Sequence, residues 1–213
     1  MQTNLNIKWA IEIDTLDAMR NIAKFEKAKE ERRQQKKTDY PEFVPLNYQP
    51  SADILRHVTG HDLLYPEPWW RMDSVLIPCH LPGHWVLCHV LLKEGKVLLF
   101  DSLNEREGTS HRLKEIRALL YLLPYLLKHV GYYEEMKMDP HASPFTVQSM
   151  HCEFIPQQHD GYSCGVFLMK YTELIPAEVK TPWKEVFGQK DIKDIRKGIA
   201  LDIYVNGQLC NSQ

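Results

Sequence analysis

Pro156-Gln157-Gln158-His159-Asp160-Gly161-Tyr162-Ser163-Cys164-Gly165, followed by Val166-Phe167-Leu168-Met169, is the stretch from which the fold is read. A polar, turn-forming segment runs straight into an apolar block. The pattern predicts a buried helix that begins near Cys164 and runs to about Leu174. A cysteine in the first turn of a helix sits at the positive end of the macrodipole, which suits an anionic sulfur. Anionic sulfur is the nucleophilic form, so this is a position for a catalytic cysteine. Buried cysteines also serve as inert packing, so Cys164 has to be weighed against what the rest of the chain supplies.

The 213 residues are 44% apolar, enough for one core with an appended segment. A net charge of -2 gives no overall basic field for nucleic acid. No stretch approaches the ~18 uninterrupted apolar residues of a membrane span. Lys8, Glu12, Asp14 and Asp17 interrupt the region where a secretory signal would be apolar. An intracellular location, nucleus or cytoplasm, is expected, with no membrane partner. The five cysteines, Cys79, Cys88, Cys152, Cys164 and Cys210, are scattered and contain no C-x-x-C pair. That speaks against a disulfide framework and a zinc ribbon and fits reduced thiols. Cys79, His80, His84, Cys88 and His89 are metal-ligand types, but their spacing is poor. Cys88 and His89 point to opposite faces of a strand, and Cys79-His80 falls in a Pro-bounded turn. No metal or other cofactor is expected.

Residues 14–37 read as a helix with a weak apolar stripe (Leu16, Met19, Ile22, Ala23) that ends in the charge run Lys27–Lys37, a solvated face. Pro41, Pro45, Pro50, Pro66 and Pro68 punctuate an irregular stretch, with a short helix near Ser51–Val58 that Ser51 caps. Residues 1–68 are therefore read as an N-terminal helical and Pro-rich extension, and 69–213 as the core. Val75-Leu76-Ile77 is a strand ended by Pro78. Trp85–Leu92 is a central strand, and Val97–Asp101 pairs with it across the turn Lys93-Glu94-Gly95-Lys96. A helix follows from Ser110, its cap, to Val130, kinked at Pro124 and ended by Gly131. Phe145–Ser149 and Cys152–Ile155 are further strand candidates, and Asp191–Tyr204 is a last amphipathic helix. Strands and helices in this order with a hairpin predict an α+β fold.

A nucleophilic cysteine needs a base, and the base needs a group that holds its tautomer. His84 at the start of one strand and Asp101 at the end of its neighbour are the right types. If Leu92 pairs with Val97, the two side chains share a face. Asp101 then lies opposite Cys88, four residues from His84, or roughly 13 Å at ~3.3 Å per residue. A bulge, strong twist or bent start at Pro82-Gly83 has to close that gap. Taken singly, His84 also reads as a polar strand start, Asp101-Ser102 as a strand-ending turn, and Trp85 as core. His159-Asp160 lies on a turn facing solvent.

His84-Trp85, Asp101-Ser102-Leu103, and Gln158 six residues before Cys164-Gly165, in that chain order, resemble the cysteine proteases that process ubiquitin-like proteins. These are the SUMO/NEDD8-specific, adenovirus-protease-like group. The similarity runs from about Trp70 to Thr172, and the longer insert between Asp101 and Cys164 looks most like plant members, including copies carried by transposable elements. The resemblance implies a papain-like α+β fold, a mainly antiparallel sheet flanked by helices. It implies Cys164 as nucleophile, His84 as general base and acid, Asp101 as orienting carboxylate, and Gln158 as side-chain donor to the oxyanion with the Cys164 N–H beside it. Trp85 is implied as a wall of the channel that admits a Gly-Gly tail. Family members commonly carry Asp just before the cysteine, where this chain has Ser163. An upstream Trp-Leu-Asn/Asp motif that clamps the substrate tail has no counterpart here.

The expected activity is a monomeric cysteine-type peptidase or isopeptidase. It cuts after the C-terminal Gly of a modifier such as SUMO or NEDD8, with the modifier and its conjugates as partners. Two alternatives stand beside it: an inactive modifier-binding module derived from a transposon-borne protease, and an acyltransferase using the same residues.

Overall fold

The computed structural model describes residues 7–9, 49–62, 66–103, 109–141 and 143–210. The expected helix over 14–37 lies outside the described residues. Strand β1 (Ile7–Trp9) is followed by helix α1 (Ala52–Thr59), a short 3-10 turn at Trp69–Arg71, and strands β2 (Ser74–Leu81), β3 (His84–Leu91) and β4 (Lys96–Phe100). Helices α2 (Thr109–His129) and α3 (Tyr132–Met136) lead to strand β5 (Thr146–Ser149). Helix α4 (Cys164–Leu174), two 3-10 turns and helix α5 (Ile192–Cys210) complete the fold. The α+β expectation holds, and α4 begins and ends where the sequence places it.

The sheet order is β1-β2-β3-β4-β5. The central pairs β2/β3 and β3/β4 are antiparallel, and the outer pairs β1/β2 and β4/β5 are parallel. Strand β2 runs through Pro78 instead of stopping there. Among the described residues its pairing with β1 ends at Leu76, and a proline is tolerated at the edge of such a pairing. Cys152–Ile155 is a turn and not a strand. The N–H groups of Phe154 and Ile155 donate to the His151 carbonyl at 2.9 and 3.1 Å, and this closes the chain on itself. Helix α2 opens at Thr109, so Ser110 lies inside it rather than capping it. The cap expected at Ser51 is present, its hydroxyl accepting from the Ile54 N–H at 3.3 Å.

Alternation along the strands gives the sheet two apolar faces. Val75, Ile77, Val86, Cys88, Val90, Val97 and Leu99 pack against Ile116, Leu119, Leu123 and Leu127 of α2 and against Tyr132 and Tyr133. Ile54, Leu55 and Val58 of α1 join that cluster. On the opposite face Leu76, Leu87 and Phe100 meet Phe167, Leu168 and Tyr171 of α4, with Trp183 and Phe187 behind them. Phe100 and Trp183 stack with centroids 5.2 Å apart.

Pro124 lies inside α2 and has no N–H to offer the carbonyl four residues back. That carbonyl, on Leu120, accepts instead from the Phe145 N–H at 3.0 Å, which ties the start of β5 to the helix. Gly131 ends the helical stretch with φ 75, a conformation that suits glycine.

The two-sided core predicts a contrast along α4. Phe167→Ala removes a ring that is 0% exposed and is expected to cost ~3–5 kcal/mol. Met169→Ala, 40% exposed on the same helix, is expected to stay within about 0.5 kcal/mol. Urea unfolding of the two variants checks the difference.

Candidate active site

One end of the sheet brings together His84, Asp101 and Gln158 of the residues singled out from the sequence. Pro82 and Gly83, the latter at φ 70, make a two-residue turn of the type II pattern. The turn leaves His84 as the first residue of β3, paired with Leu81. Strand β4 ends at Phe100 and passes directly to Asp101. The hairpin register differs from the expected one by two residues, because Leu91 pairs with Lys96 and Leu87 with Phe100. The loop is Leu92–Gly95, with Gly95 at φ 60 and its N–H donating to the Leu92 carbonyl at 3.4 Å. The shared face of His84 and Asp101 survives this shift. Their offset shrinks to two residues, about 7 Å along the strand, which long side chains bridge diagonally. Nε2 of His84 donates to Oδ1 of Asp101 at 2.8 Å, with no bulge.

Asp101 is 3% exposed, and a buried carboxylate needs compensating donors. Oδ1 also accepts from the Leu103 N–H at 2.9 Å, and Oδ2 accepts from Nη1 of Arg112 on α2 at 2.6 Å. Arg112 donates as well to the Leu103 carbonyl. Burial pushes the Asp101 carboxyl up, but the His84 and Leu103 hydrogen bonds and the Arg112 and His84 charges outweigh it and hold the group below its ordinary value. An ionised Asp101 can only accept, so the His84 proton resides on Nε2 and the lone pair of the neutral ring on Nδ1.

Gln158 is joined to the same strand end through Ser102. Its N–H donates to the Ser102 carbonyl at 2.8 Å, and the Ser102 hydroxyl donates to its Oε1 at 2.6 Å. Nε2 of Gln158 donates to the Asp160 carbonyl at 2.6 Å. Asp160 organises the loop that follows. Its Oδ1 accepts from the Tyr162 and Ser163 N–H groups at 3.1 and 2.8 Å. Its Oδ2 accepts from the Ser163 hydroxyl at 2.7 Å and from Nε2 of Gln189 at 2.6 Å. Desolvation raises the Asp160 carboxyl, but the Ser163 hydroxyl, the Tyr162 N–H, the Gln189 amide and the Ser163 N–H together hold it below its usual range. Arg196 of α5 donates to the Ser163 hydroxyl oxygen at 3.2 Å and lies over the Tyr162 ring at 5.6 Å.

Cys164 heads α4 and is 7% exposed. The Val166 and Phe167 N–H groups close on the Ser163 carbonyl at 2.9 and 3.1 Å, and the first N–H groups of a helix have no partner within it. Among the described residues no hydrogen bond joins the Cys164 sulfur to His84. Cys79 and Cys88 behave differently. Their sulfurs lie 3.7 Å apart inside the core, and the Cys79 contact, burial and the Cys79 charge push the Cys88 thiol up. Trp85 is half-buried on the α4 face, its ring 4.6 Å from that of His80. His159 is exposed, its N–H donating to Oε1 of Gln189 at 2.8 Å. An open cleft of about 600 Å³ lies beside it, lined by His159 and residues from Lys184 to Asp191, away from the His84–Asp101 pair. Among the described residues no group of three or more His, Cys, Asp or Glu is placed to hold a metal ion.

Sequence reasoning did not single out Arg112 or Arg196, and it gave Ser102 and Asp160, although both were named, no part in holding this end of the molecule together. The Asp-Gly pair at 160–161 does carry a local signal, since Asp favours turns in which its carboxylate accepts from N–H groups further along. Arg112 and Arg196 carry none, because only packing of α2 and α5 brings them here.

The description of the Ulp1 protease family, C-terminal catalytic domain, matches residues 18–208. A putative ubiquitin-like-specific protease 1B of Arabidopsis thaliana is 28% identical over 147 residues, 68% of this chain and 36% of that protein. Human sentrin-specific protease 2 is 30% identical over 136 residues, 64% of this chain and 20% of that protein. The chain thus spans about a third or less of the length of these curated relatives. Among solved structures, the Ulp1 C-terminal protease domain in complex with Smt3, the yeast ortholog of SUMO, is 23% identical with a TM-score of 0.38, covering 59% of this chain and 49% of that one. The SUMO protease Ulp1 with its catalytic cysteine oxidised to a sulfenic acid is 24% identical with a TM-score of 0.43, covering 64% and 55%. With its family match running from before α1 into α5, this chain belongs to the Ulp1 protease family.

Proposed function

We propose that the protein is a cysteine peptidase that hydrolyses the bond after the C-terminal glycine of a ubiquitin-like modifier of the SUMO class. The observation that carries this reading is the 2.8 Å His84–Asp101 hydrogen bond on a buried carboxylate, which leaves Nδ1 as the basic atom of the ring. Family membership and a cysteine at the head of α4 support it.

The chemistry follows from these groups. Nδ1 of His84 takes the Cys164 proton, and the sulfur attacks the glycine carbonyl carbon to form a C–S bond. Negative charge gathers on the carbonyl oxygen. The Cys164 N–H and the second N–H of the Gln158 amide are the donors suited to meet it. The imidazolium returns its proton to the departing amine as the C–N bond breaks, leaving a thioester. His84 then deprotonates a water that attacks the thioester carbon. The C–S bond breaks, the glycine leaves as a carboxylic acid, and the imidazolium returns the water's proton to the departing sulfur. Trp85 serves as a wall for the narrow glycine tail. No step requires a metal. SUMO in preference to NEDD8 follows the names of the relatives. The expected nuclear or cytoplasmic location belongs with this reading. The expected monomer does too. No helix among the described residues is long and apolar enough to cross a membrane.

The test is incubation with SUMO carrying a C-terminal vinyl sulfone. The protein is expected to be labelled, with the adduct absent in Cys164→Ala. Labelling that survives in this variant removes Cys164 as nucleophile. Affinity for SUMO with no turnover, the same in both proteins, establishes a binding module instead. Gln158→Ala is expected to lower turnover by about 100-fold, read from steady-state hydrolysis of a SUMO fusion.

The buried carboxylate also ties folding to pH. Asp101 is held below its unfolded value, so its contribution to stability is complete above the ordinary carboxyl range, near ~3.9, and is lost as pH falls through the folded value. Asp101→Asn is expected to flatten part of the acid limb of stability. Asp160, held down by its own donors, acts in the same direction. Urea midpoints of the wild type and Asp101→Asn between about pH 2 and pH 6 measure the difference.

A further inference from the structure

Gln158 and Ser102 meet in a place that leaves neither much choice. Gln158 is 4% exposed and Ser102 1% exposed. Two atoms face the Gln158 amide: the Asp160 carbonyl oxygen, 2.6 Å from Nε2, and the Ser102 hydroxyl, 2.6 Å from Oε1. A carbonyl oxygen can only accept, so the amide nitrogen must lie on the Asp160 side. The reversed amide would set Oε1 against that carbonyl, oxygen to oxygen. Ser102 must then donate, because Oε1 has no hydrogen to give. Ser102 also accepts the Gln158 N–H on its own carbonyl at 2.8 Å, so backbone and side chain of one residue grip backbone and side chain of the other.

We propose that Ser102 is a positioning residue for the oxyanion donor: the Asp160 carbonyl sets which side the amide nitrogen takes, and the Ser102 hydroxyl holds Oε1 so that the second N–H stays aimed at the reacting centre. This rests on the peptidase reading above. Ser102 directly follows Asp101, so the carboxylate that orients His84 and the hydroxyl that orients Gln158 leave the strand from consecutive residues. Without the hydroxyl, Oε1 is buried with no donor. The amide then keeps only its Asp160 anchor, and part of its population swings the free N–H out of line with the developing negative charge. The loss falls on the transition state and not on modifier docking, so kcat drops while KM holds.

The test uses the full chain and SUMO carrying a C-terminal aminocoumarin amide. Ser102→Ala is expected to lower kcat on the order of tenfold, the size of one hydrogen bond, with KM within about twofold. In a Gln158→Ala background the same change is expected to do nothing further, because the donor it positions is gone. Two probes separate this role from general loosening. Iodoacetamide alkylation of Cys164 develops no oxyanion and is expected to keep its wild-type rate. SUMO with a C-terminal aldehyde forms a hemithioacetal oxyanion and is expected to bind more weakly by the same factor as kcat. Ser102→Cys, isosteric with a weak donor, is expected to fall between and takes the place of Ser102→Ala should the latter not fold. Wild-type turnover with kcat unchanged in Ser102→Ala, or losses that add to those of Gln158→Ala, overturns the Ser102 proposal alone. No Cys164-dependent turnover in the wild type overturns the peptidase reading, and this role with it.

Discussion

A carboxylate 3% exposed sits where the interior gives it little water, and the architecture of this end of the molecule answers that cost. An uncompensated buried charge is expensive enough to reshape its surroundings or lose its charge. Asp101 is compensated from three directions: His84 from the neighbouring strand, the Leu103 N–H from its own loop, and Arg112 from α2. Each donor is also a mechanical tie. The start of β3, the exit of β4 and the first turns of a helix from the opposite layer all converge on two oxygen atoms. The ionised state that orients the imidazole is the same state that holds these elements together.

The sheet end is also where the two apolar faces can communicate. Asp101 takes a hydrogen bond from Arg112 of α2, and its charge also reaches Tyr171 of α4, which packs on the other face. The path between them runs along the chain of hydrogen bonds from Ser102 to Gln158, from Gln158 to Asp160, and from Asp160 to Ser163, the residue before Cys164. Ser163 stands where the resemblance noted in the sequence leads one to expect Asp. Here a carboxylate three residues earlier supplies the acceptors, and the hydroxyl of Ser163 sits between Asp160 and Arg196.

Much of this was legible in the amino-acid sequence because it depends on parity and punctuation. Moving the hairpin loop by one residue leaves it four residues long and changes the register by two, so His84 and Asp101 keep a common face either way. What sequence alone misjudged was distance, since only the left-handed Gly95 at the end of the loop selects the register that brings them within reach. The start of α4 was legible from an abrupt change from turn formers to apolar residues. Pro78 misled because the edge of a strand pairing forgives a missing N–H, and Cys152–Ile155 misled because Phe154 and Ile155 reach the core from a tight turn as strand residues do. The two arginines were out of reach for a different reason. Their partners lie 11 and 33 positions away in the chain, and nothing local marks such a meeting.

Pro124 carries a lesson of a separate kind. A proline in a helix is ordinarily scored as damage, a lost rung and a crowded ring. In this molecule the vacant acceptor on Leu120 is spent on the first residue of the passage into β5. The flaw therefore works as a rivet between layers. It fastens the outermost parallel strand beside β4 through an oxygen that an unbroken helix already engages, so a helix breaker here lends a hand in joining a sheet.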